Sequence, residues 1–331
     1  MALKVAINGT GRIGIIVAKI IAERNDIELV ALNTTSKPEM LEYLLKFDSV
    51  HRGIDAKVID DKTIQIAGKN IRLFSDRNID NVDFGGAGAE VVIECTGKFL
   101  DQESCAKHLK NGVKKVIMSA PAKDDSPTYV FGVNSDAYKG EAIISNASCT
   151  TNCLGPICKV LDDAFGIENG LMTTIHSYTN DQNILDVKHS KDPRRARAAA
   201  MNMIPTSTGA AKAIGKVMPN LLGKLNGYAM RVPTPDVSVV DLTVNLKKEV
   251  TKEDIHAAFN TAAAGAFKGL IEVDNDKRVS SDFIGSTYSS TYVPDMTSVV
   301  DGNTVKVLAW YDNEWGYSSR LVDMTVLIGT H

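Results

Sequence analysis

The chain has 331 residues, 44% of them hydrophobic and 23% charged, with a formal net charge of -3. That length accommodates two domains with separate cores, and the composition is that of an ordinary globular protein, neither disordered nor fibrous. The slightly acidic balance offers no bulk attraction to nucleic acid or to an anionic membrane, and no apolar run reaches the roughly 20 residues that span a bilayer. Any anion bound here must be held by local groups. The first residues, Met1 to Gly9, carry no basic region followed by a long apolar stretch and a cleavage site. They read as a strand that starts the fold at once, and the expected location is the cytoplasm. The five cysteines are Cys95, Cys105, Cys149, Cys153 and Cys158. So few, in odd number, argue for reduced thiols, and no zinc-like spacing is present, so no metal is expected.

Lys4–Asn8 is β-rich and ends in Gly9, apolar residues from Gly14 to Glu23 recur at helical spacing, and Ile27–Leu32 is again strand-like. This β–turn–α–β order is the unit of a parallel, helix-covered sheet. Further strands are predicted at Val91–Glu94, Lys115–Met118 and Ala142–Ser145, with a helix over Asp101–Gly112. Residues 1–148 therefore read as one doubly wound domain. A helix from Thr150 to Phe165 and a strand at Leu171–His176 follow, then a long polar, basic segment, Ser177 to Met203, of a length that is usually functional or interfacial. A helix over Ala210–Leu222 precedes strands near Tyr228–Arg231, Val237–Leu246, Ile271–Asp274 and Thr304–Trp310. These predict a second α+β domain, 149–313, with a mixed or antiparallel sheet. A final helix, about 314–331, is expected to pack back on the first domain.

Gly9-Thr10-Gly11-Arg12-Ile13-Gly14 matches G-x-G-x-x-G. The pattern alone is weak, but here it follows a strand and opens a helix, as the Rossmann-type dinucleotide site requires. Gly9 permits the turn, Gly11 lets a pyrophosphate reach the backbone, Gly14 allows close packing, and the helix N-terminus meets the charge. Arg12 and Ile13 belong to the same turn. The carboxylate that usually binds the adenosine ribose of NAD is missing: Asn33 or Thr34 occupies its position. Thr34, Thr35 and Ser36 offer hydroxyls and Lys37 is near in sequence, so NAD and NADP both stay open.

Ser148-Cys149-Thr150-Thr151 places a cysteine between a strand and a helix start. The partial positive charge there favours a thiolate, and the free N–H groups can stabilise an oxyanion. His176, ending the next strand, can return beside it as a base. The other four cysteines read as small buried hydrophobes. His51, His108, His189, His256 and His331 lie in no comparably polar segment. Pro205–Lys212 is a hydroxyl-rich turn opening a helix, suited to phosphate, and Arg231 sits among apolar residues, where a cation needs an anionic partner.

Together with Arg231-Val232-Pro233-Thr234-Pro235 and Trp310-Tyr311-Asp312-Asn313-Glu314, these motifs resemble those of phosphorylating glyceraldehyde-3-phosphate dehydrogenases, in order from Lys4 to Ser318. The resemblance implies a cytoplasmic enzyme of glycolysis or gluconeogenesis. It would convert glyceraldehyde 3-phosphate and inorganic phosphate to 1,3-bisphosphoglycerate, through a Cys149 hemithioacetal and thioester with His176 as base. It implies that Thr179 and Arg231 hold the substrate phosphate and that Ser148, Thr150, Thr208 and Gly209 surround the attacking phosphate. It further implies that Asn313 fixes the nicotinamide carboxamide, that Arg77 and Ser119 line the cofactor site, and that Ser177 to Met203 is an S-loop in a homotetramer. Three departures stand out. Thr10 and Ile15 replace Phe and Arg, Thr34 replaces the Asp of NAD-preferring members, and Val187-Lys188 replaces Leu-Pro. Thr34 and Lys188 lose a carboxylate and gain a cation, which points to use of NADP as well as NAD. Erythrose-4-phosphate dehydrogenase is the nearest rival. A thiol hydrolase and a catalytically silent binding protein are more distant ones.

Overall fold

The computed structural model describes residues 2–331. The chain divides into two compact units. One comprises the residues up to Phe131 with Ser135–Ser148 and Ser318–His331, and the other comprises Gly132–Asn134 and Cys149–Tyr317.

The first unit is built on eight strands: β1 (Leu3–Asn8), β2 (Ile27–Asn33), β3 (Ala56–Asp60), β4 (Thr63–Ile66), β5 (Lys69–Phe74), β6 (Val91–Glu94), β7 (Lys115–Met118) and β8 (Ile143–Ser145). Their order is β3-β4-β5-β2-β1-β6-β7-β8. From β5 through β8 every pairing is parallel, while β3, β4 and β5 form an antiparallel meander at one edge. Central strands of a parallel sheet are covered on both faces, which is why β6 and β7 read as near-continuous apolar runs. Val5, Ala6, Ile7, Val92, Ile93, Val116 and Ile117 are fully buried. Chain order reverses between β1 and β6, and the crevice at the carboxyl ends of these strands is where a doubly wound sheet takes its ligand.

Helix α1 (Arg12–Ala22) buries Ile16, Val17, Ile20 and Ile21. It also buries Lys19, whose ammonium lies 3.0 Å from Asp48, and Arg12 pairs with the same carboxylate at 3.0 Å. Asp48 accepts from the Val50 and His51 N–H groups as well, which fixes the loop after α2 (Pro38–Lys46). The expected helix over 101–112 shrinks to α3, Gln102–Ala106. Asp101 caps it through the Ser104 N–H, and beyond Ala106 the chain closes tighter turns, His108 N–H to the Cys105 carbonyl and Leu109 N–H to that of Ala106, so the α-helical ladder does not continue.

The second unit carries the mixed sheet: β9 (Ile167–Ser177), β10 (Ile204–Ser207), β11 (Leu225–Val232), β12 (Ser238–Leu246), β13 (Ile271–Val273), β14 (Ser290–Tyr292), β15 (Ser298–Val300) and β16 (Thr304–Tyr311). The order is β10-β11-β9-β12-β16-β14-β13, with β15 on β16. β9 pairs parallel with β11 and antiparallel with β12. Val240, Leu242, Val244 and Leu246 are buried on β12, alternating with residues that keep some exposure, as expected of a sheet covered on one face. The cover is α4 (Cys149–Phe165), packed on β9, β12, β14 and β16 and flanked by α5 (Ala210–Val217) and α6 (Lys252–Ala264). The expected helix to Leu222 stops at Val217, because Pro219 has no N–H to continue the ladder; a 3-10 turn, Pro219–Leu221, follows. The last helix is α7 (Trp315–Thr330). A Cβ on its Gly329 would lie 2.3 Å from the Leu3 side chain, so this helix end is pressed against the start of β1. No helix among the described residues is long and apolar enough to cross a membrane.

Asp48→Asn leaves the buried Lys19 ammonium without its ion pair and should cost about 3–5 kcal/mol in urea unfolding near neutral pH. The Asp48 carboxyl is held below the ordinary range, against the opposing effect of burial, by the Val50 and His51 N–H groups, Lys19 and Arg12. Its contribution is therefore present above the unfolded carboxyl pKa and lost as pH falls towards the folded value. The gap between wild type and variant should narrow in acid.

Candidate active site

In the first unit the carboxyl ends of β1, β2 and β6 open on a cavity of about 330 Å³. It is lined by the turn Asn8–Gly11, by Asn33, Thr35 and Ser36, by Asp76, Arg77 and Ile79, and by Cys95, Thr96, Lys98 and Phe99. Gly9 sits at φ 100°, and a Cβ there would lie 2.8 Å from the Thr96 N atom. A Cβ on Gly14 would lie 2.0 Å from the Gly9 carbonyl oxygen, whereas one on Gly11 would meet none of the described atoms within 4 Å. Gly9 and Gly14 therefore close the turn, and Gly11 leaves its backbone open to a ligand. No side chain caps α1, whose N-cap is Gly11, so its first N–H groups remain available to an anion. The cavity fits a dinucleotide pyrophosphate.

Thr34 is not part of this lining. It is buried, its hydroxyl pairing with that of Thr10 at 2.6 Å and accepting from the Ser36 N–H at 3.1 Å. Arg12 pairs with Asp48. Ile13 and Gly14 also lie outside the lining, as does Ser119, which hydrogen-bonds the Cys95 thiol. Cys95 itself, expected as core, borders the cavity. Burial pushes its thiol up to about 12.

In the second unit Cys149 is the first residue of α4 and His176 the penultimate residue of β9. Their Sγ and Nε2 atoms are 3.5 Å apart. The histidine Nδ1 lies 2.8 Å from the Ser177 carbonyl. A proton on Nδ1, donated to that carbonyl, leaves the Nε2 lone pair facing the sulfur, as a general base requires. Sheet register sets Arg231 beside His176. Its Nη1 donates to the same carbonyl at 2.9 Å and lies 3.0 Å from Nδ1. Burial, and then the Arg231 charge, lower His176 to about 3, so the ring is neutral near pH 7. Burial also raises the Cys149 thiol above its ordinary value, opposed by Arg231 and by hydrogen bonds from Thr150. The Thr150 hydroxyl is 2.9 Å from the Tyr311 hydroxyl, which reaches Thr174 at 2.8 Å, and the Tyr311 ring meets His176 edge-on. This buried chain ties the helix start to β9 and β16.

Asn313 is buried, and its Oδ1 accepts from Ser177 Oγ at 2.9 Å and Ser238 Oγ at 2.7 Å. Both lone pairs are thus engaged, and the amide N–H₂ is the face left to recognise something else. Just before Ser238, the β-branched Val237 takes φ 65°, a strained conformation.

Residues 148–313 match the family described as glyceraldehyde 3-phosphate dehydrogenase, C-terminal domain, and residues 3–102 match its NAD binding domain. A glyceraldehyde-3-phosphate dehydrogenase of Geobacillus stearothermophilus is 53% identical over 100% of this chain and 99% of its own length. One of Priestia megaterium is 52% identical over 99% and 98%, and a chloroplastic form of Zea mays is 52% identical over 97% and 81%. The chain belongs to the glyceraldehyde-3-phosphate dehydrogenase family.

Further residues that the family pattern singles out lie in the second unit. Gly209 is the N-cap of α5 without a side-chain cap, and the Thr208 hydroxyl accepts from the Ala210 N–H at 3.2 Å. The Thr179 hydroxyl receives the Asp181 N–H at 3.4 Å. Arg231 Nε is buried with no hydrogen-bond partner among the described residues. Such an orphaned donor on a cation suits an incoming anion. Lys188 is exposed on the 177–203 segment. Arg195 was not singled out by the sequence, although it lies in the basic run Pro193–Arg197. Its guanidinium is held by Asp181 at 2.6 Å and Thr206 at 2.9 Å, and its charge helps to depress His176 and Arg231. Asn8, Asp76, Thr96, Lys98 and Phe99 were also missed; the signal that finds them is position at the ends of parallel strands.

Burial raises all five thiols, but among the described residues only Cys149 has a histidine within hydrogen-bond reach and a nearby cation, Arg231, opposing the rise. Iodoacetamide at pH 8 should therefore label Cys149 faster than the rest by about tenfold or more, and His176→Asn should remove most of that lead. Equal labelling of all five would exclude Cys149 as the nucleophile.

Proposed function

We propose that the protein is a phosphorylating glyceraldehyde-3-phosphate dehydrogenase that takes glyceraldehyde 3-phosphate and inorganic phosphate to 1,3-bisphosphoglycerate with NAD or NADP. The observation that carries this reading is the 3.5 Å contact between Cys149 Sγ and His176 Nε2, at the start of α4, in a chain that matches enzymes of that name along its whole length. Cys149 attacks the aldehyde carbon, forming a C–S bond as the C=O π bond opens, and the thiol proton passes through His176 to the carbonyl oxygen, which leaves the ring neutral. A bound nicotinamide dinucleotide supplies the two-electron acceptor. His176 removes the hemithioacetal hydroxyl proton as the thioester forms, and phosphate then displaces the Cys149 sulfur.

Arg231 and Thr179 take the substrate phosphate in this reading, and Ser148, Thr150, Thr208 and Gly209 take the attacking one. An anion on Arg231 offsets the charge that depresses His176, so the base strengthens when substrate is bound. We assign residues 1–148 with the last helix to cofactor binding, and 149–313 to catalysis. Gly9, Gly11, Arg77 and Asn313 are the cofactor residues best supported by their surroundings.

Cofactor choice follows from charge. Arg77 and Lys98 line the first-unit cavity, and Asp76 is the only acid among the described residues there. The Asp76 carboxylate is engaged by Asn78 and Asn81. With Thr34 bonded to Thr10, no carboxylate selects against a 2′-phosphate. Both cofactors should support phosphate-dependent oxidation of glyceraldehyde 3-phosphate. Thr34→Asp should cut kcat/KM for NADP by about tenfold or more while changing that for NAD far less, the loss of charge-assisted hydrogen bonds being of order 1.5–3 kcal/mol. Phosphate-independent turnover, or equal losses for both cofactors, would overturn the respective parts of the reading.

We further propose a homotetramer. The 177–203 segment exposes Ile184, Leu185, Met201 and Met203, and α2 with Phe47 exposes Met40, Tyr43 and Leu44 at helical spacing. Such surfaces call for partners. Light scattering should give four times the 35.7 kDa chain mass, and a monomer at micromolar concentration would exclude it. Five unpaired cysteines suit the reducing cytoplasm.

A further inference from the structure

The ends of β2, β1 and β6 form a row in register: Asn33 beside Asn8, and Asn8 beside Glu94. Their side chains bond across the row. Asn33 Nδ2 donates to Asn8 Oδ1 at 2.8 Å, and Asn8 Nδ2 donates to Glu94 Oε2 at 2.6 Å. Glu94 is fully buried, yet it lines no part of the cavity and no step of the chemistry uses it. Its other oxygen accepts from the Thr96 N–H at 2.7 Å and from the Thr96 hydroxyl. The fourth partner is His108, whose Nε2 lies 3.2 Å from Oε2. Asn8 and Thr96 approach Glu94 with donors, and a carboxylate has room for about four. An acceptor-only Glu94 therefore makes His108 the Nε2–H tautomer. The His108 ring is buried, packed edge-on against Phe99, and its Nδ1 has no hydrogen-bond partner among the described residues. Sequence had given this histidine no polar setting.

Asn8, Thr96 and Phe99, the groups that Glu94 and His108 touch, line the cavity on two sides. The Thr96 N atom is also the wall against which Gly9 is pressed, 2.8 Å from where a Cβ would stand. We infer that Glu94, oriented by His108, is a positioning residue for the dinucleotide: it sets the spacing between the glycine turn and the 95–99 loop without touching the ligand. The inference rests on the reading of this cavity as the dinucleotide site. A carboxylate held only for stability would not need three of its four hydrogen-bond partners to come from two cavity walls, with the fourth, His108, packed on a third lining residue, Phe99. The donor pattern also fixes the direction of every amide in the row, so the end group, Asn33, presents its Oδ1 to the Asp76 N–H at 3.1 Å. Asp76 and Arg77 are thereby held in the lining by the same chain of bonds.

The test is an exchange of charge along the row, read by equilibrium titration of the full-length protein with NAD and NADH. Glu94→Gln sets an amide N–H₂ against the donors of Asn8 and His108, and the dissociation constant should rise tenfold or more. Asn8→Asp combined with Glu94→Gln restores the alternation. The carboxylate introduced on β1 accepts from Asn33 and from the amide introduced on β6, whose oxygen accepts from Thr96. The double variant should recover at least a third of the lost affinity on a logarithmic scale. Alkylation of Cys149 reports that the second unit remains folded in each variant. Should Glu94→Gln fail to fold, His108→Leu, which removes one donor, is the deciding variant, with at least a threefold rise expected against little change for His108→Gln. Wild-type affinity in Glu94→Gln, a double variant no better than the single one, or His108→Leu equal to wild type would overturn the inference. Failure of the wild-type protein to bind either dinucleotide would instead overturn the reading of the cavity.

Discussion

A sulfur and a ring nitrogen 3.5 Å apart, the histidine buried and the cysteine half-buried, set the terms for the second unit. Burial favours the uncharged form of each group, so at rest the pair is a thiol beside a neutral imidazole. Chemistry then depends on geometry: the right tautomer, a lone pair aimed at the sulfur, and a cation near enough to matter when charge develops. The Ser177 carbonyl supplies the first two, and the β9–β11 register supplies the third by setting Arg231 opposite His176. The Tyr311 hydroxyl, bridging Thr150 and Thr174, keeps the helix start and the strand from drifting apart.

Arg231 and Arg195 illustrate how a chain with net charge -3 builds the anion site proposed for it. Bulk electrostatics contributes little, so cations are brought together locally. Arg195 is steadied by Asp181, while Arg231 keeps a buried donor unpaired. Burial, and to a smaller extent the Arg195 charge, lower Arg231, and a bound anion opposes both effects. In the proposed reaction, substrate binding and the basicity of His176 are thereby coupled through one guanidinium.

The first unit solves a different problem. A dinucleotide needs backbone to come close and polar groups to point one way. Glycines at 9, 11 and 14 meet the first need, and the row Asn33–Asn8–Glu94 meets the second. Thr10 and Thr34 are bonded to each other. The two hydroxyls therefore act as a unit: Thr10 stays in the cavity lining, and its bond holds Thr34 away from it.

Much of this was legible in the sequence. The strands β6 and β7 fall at the predicted residues, since buried parallel strands are short apolar runs with sharp ends. Cys149, His176 and the glycine turn were readable because their chemistry depends on local context: a helix start, a strand end, a missing Cβ. The meander β3–β5 was not, because half-exposed strands lack a distinctive pattern, and the shortening of α3 turns on a change to tighter turns after Ala106 that the apolar periodicity does not register. Tertiary structure alone turned Thr34 away from the cavity, brought Arg195 towards His176 and paired His108 with Glu94. Sequence determined which residues were capable of chemistry, since that follows from side-chain type and neighbours along the chain. Which of them meet is decided by strand register and helix packing, because those contacts join residues far apart in the chain.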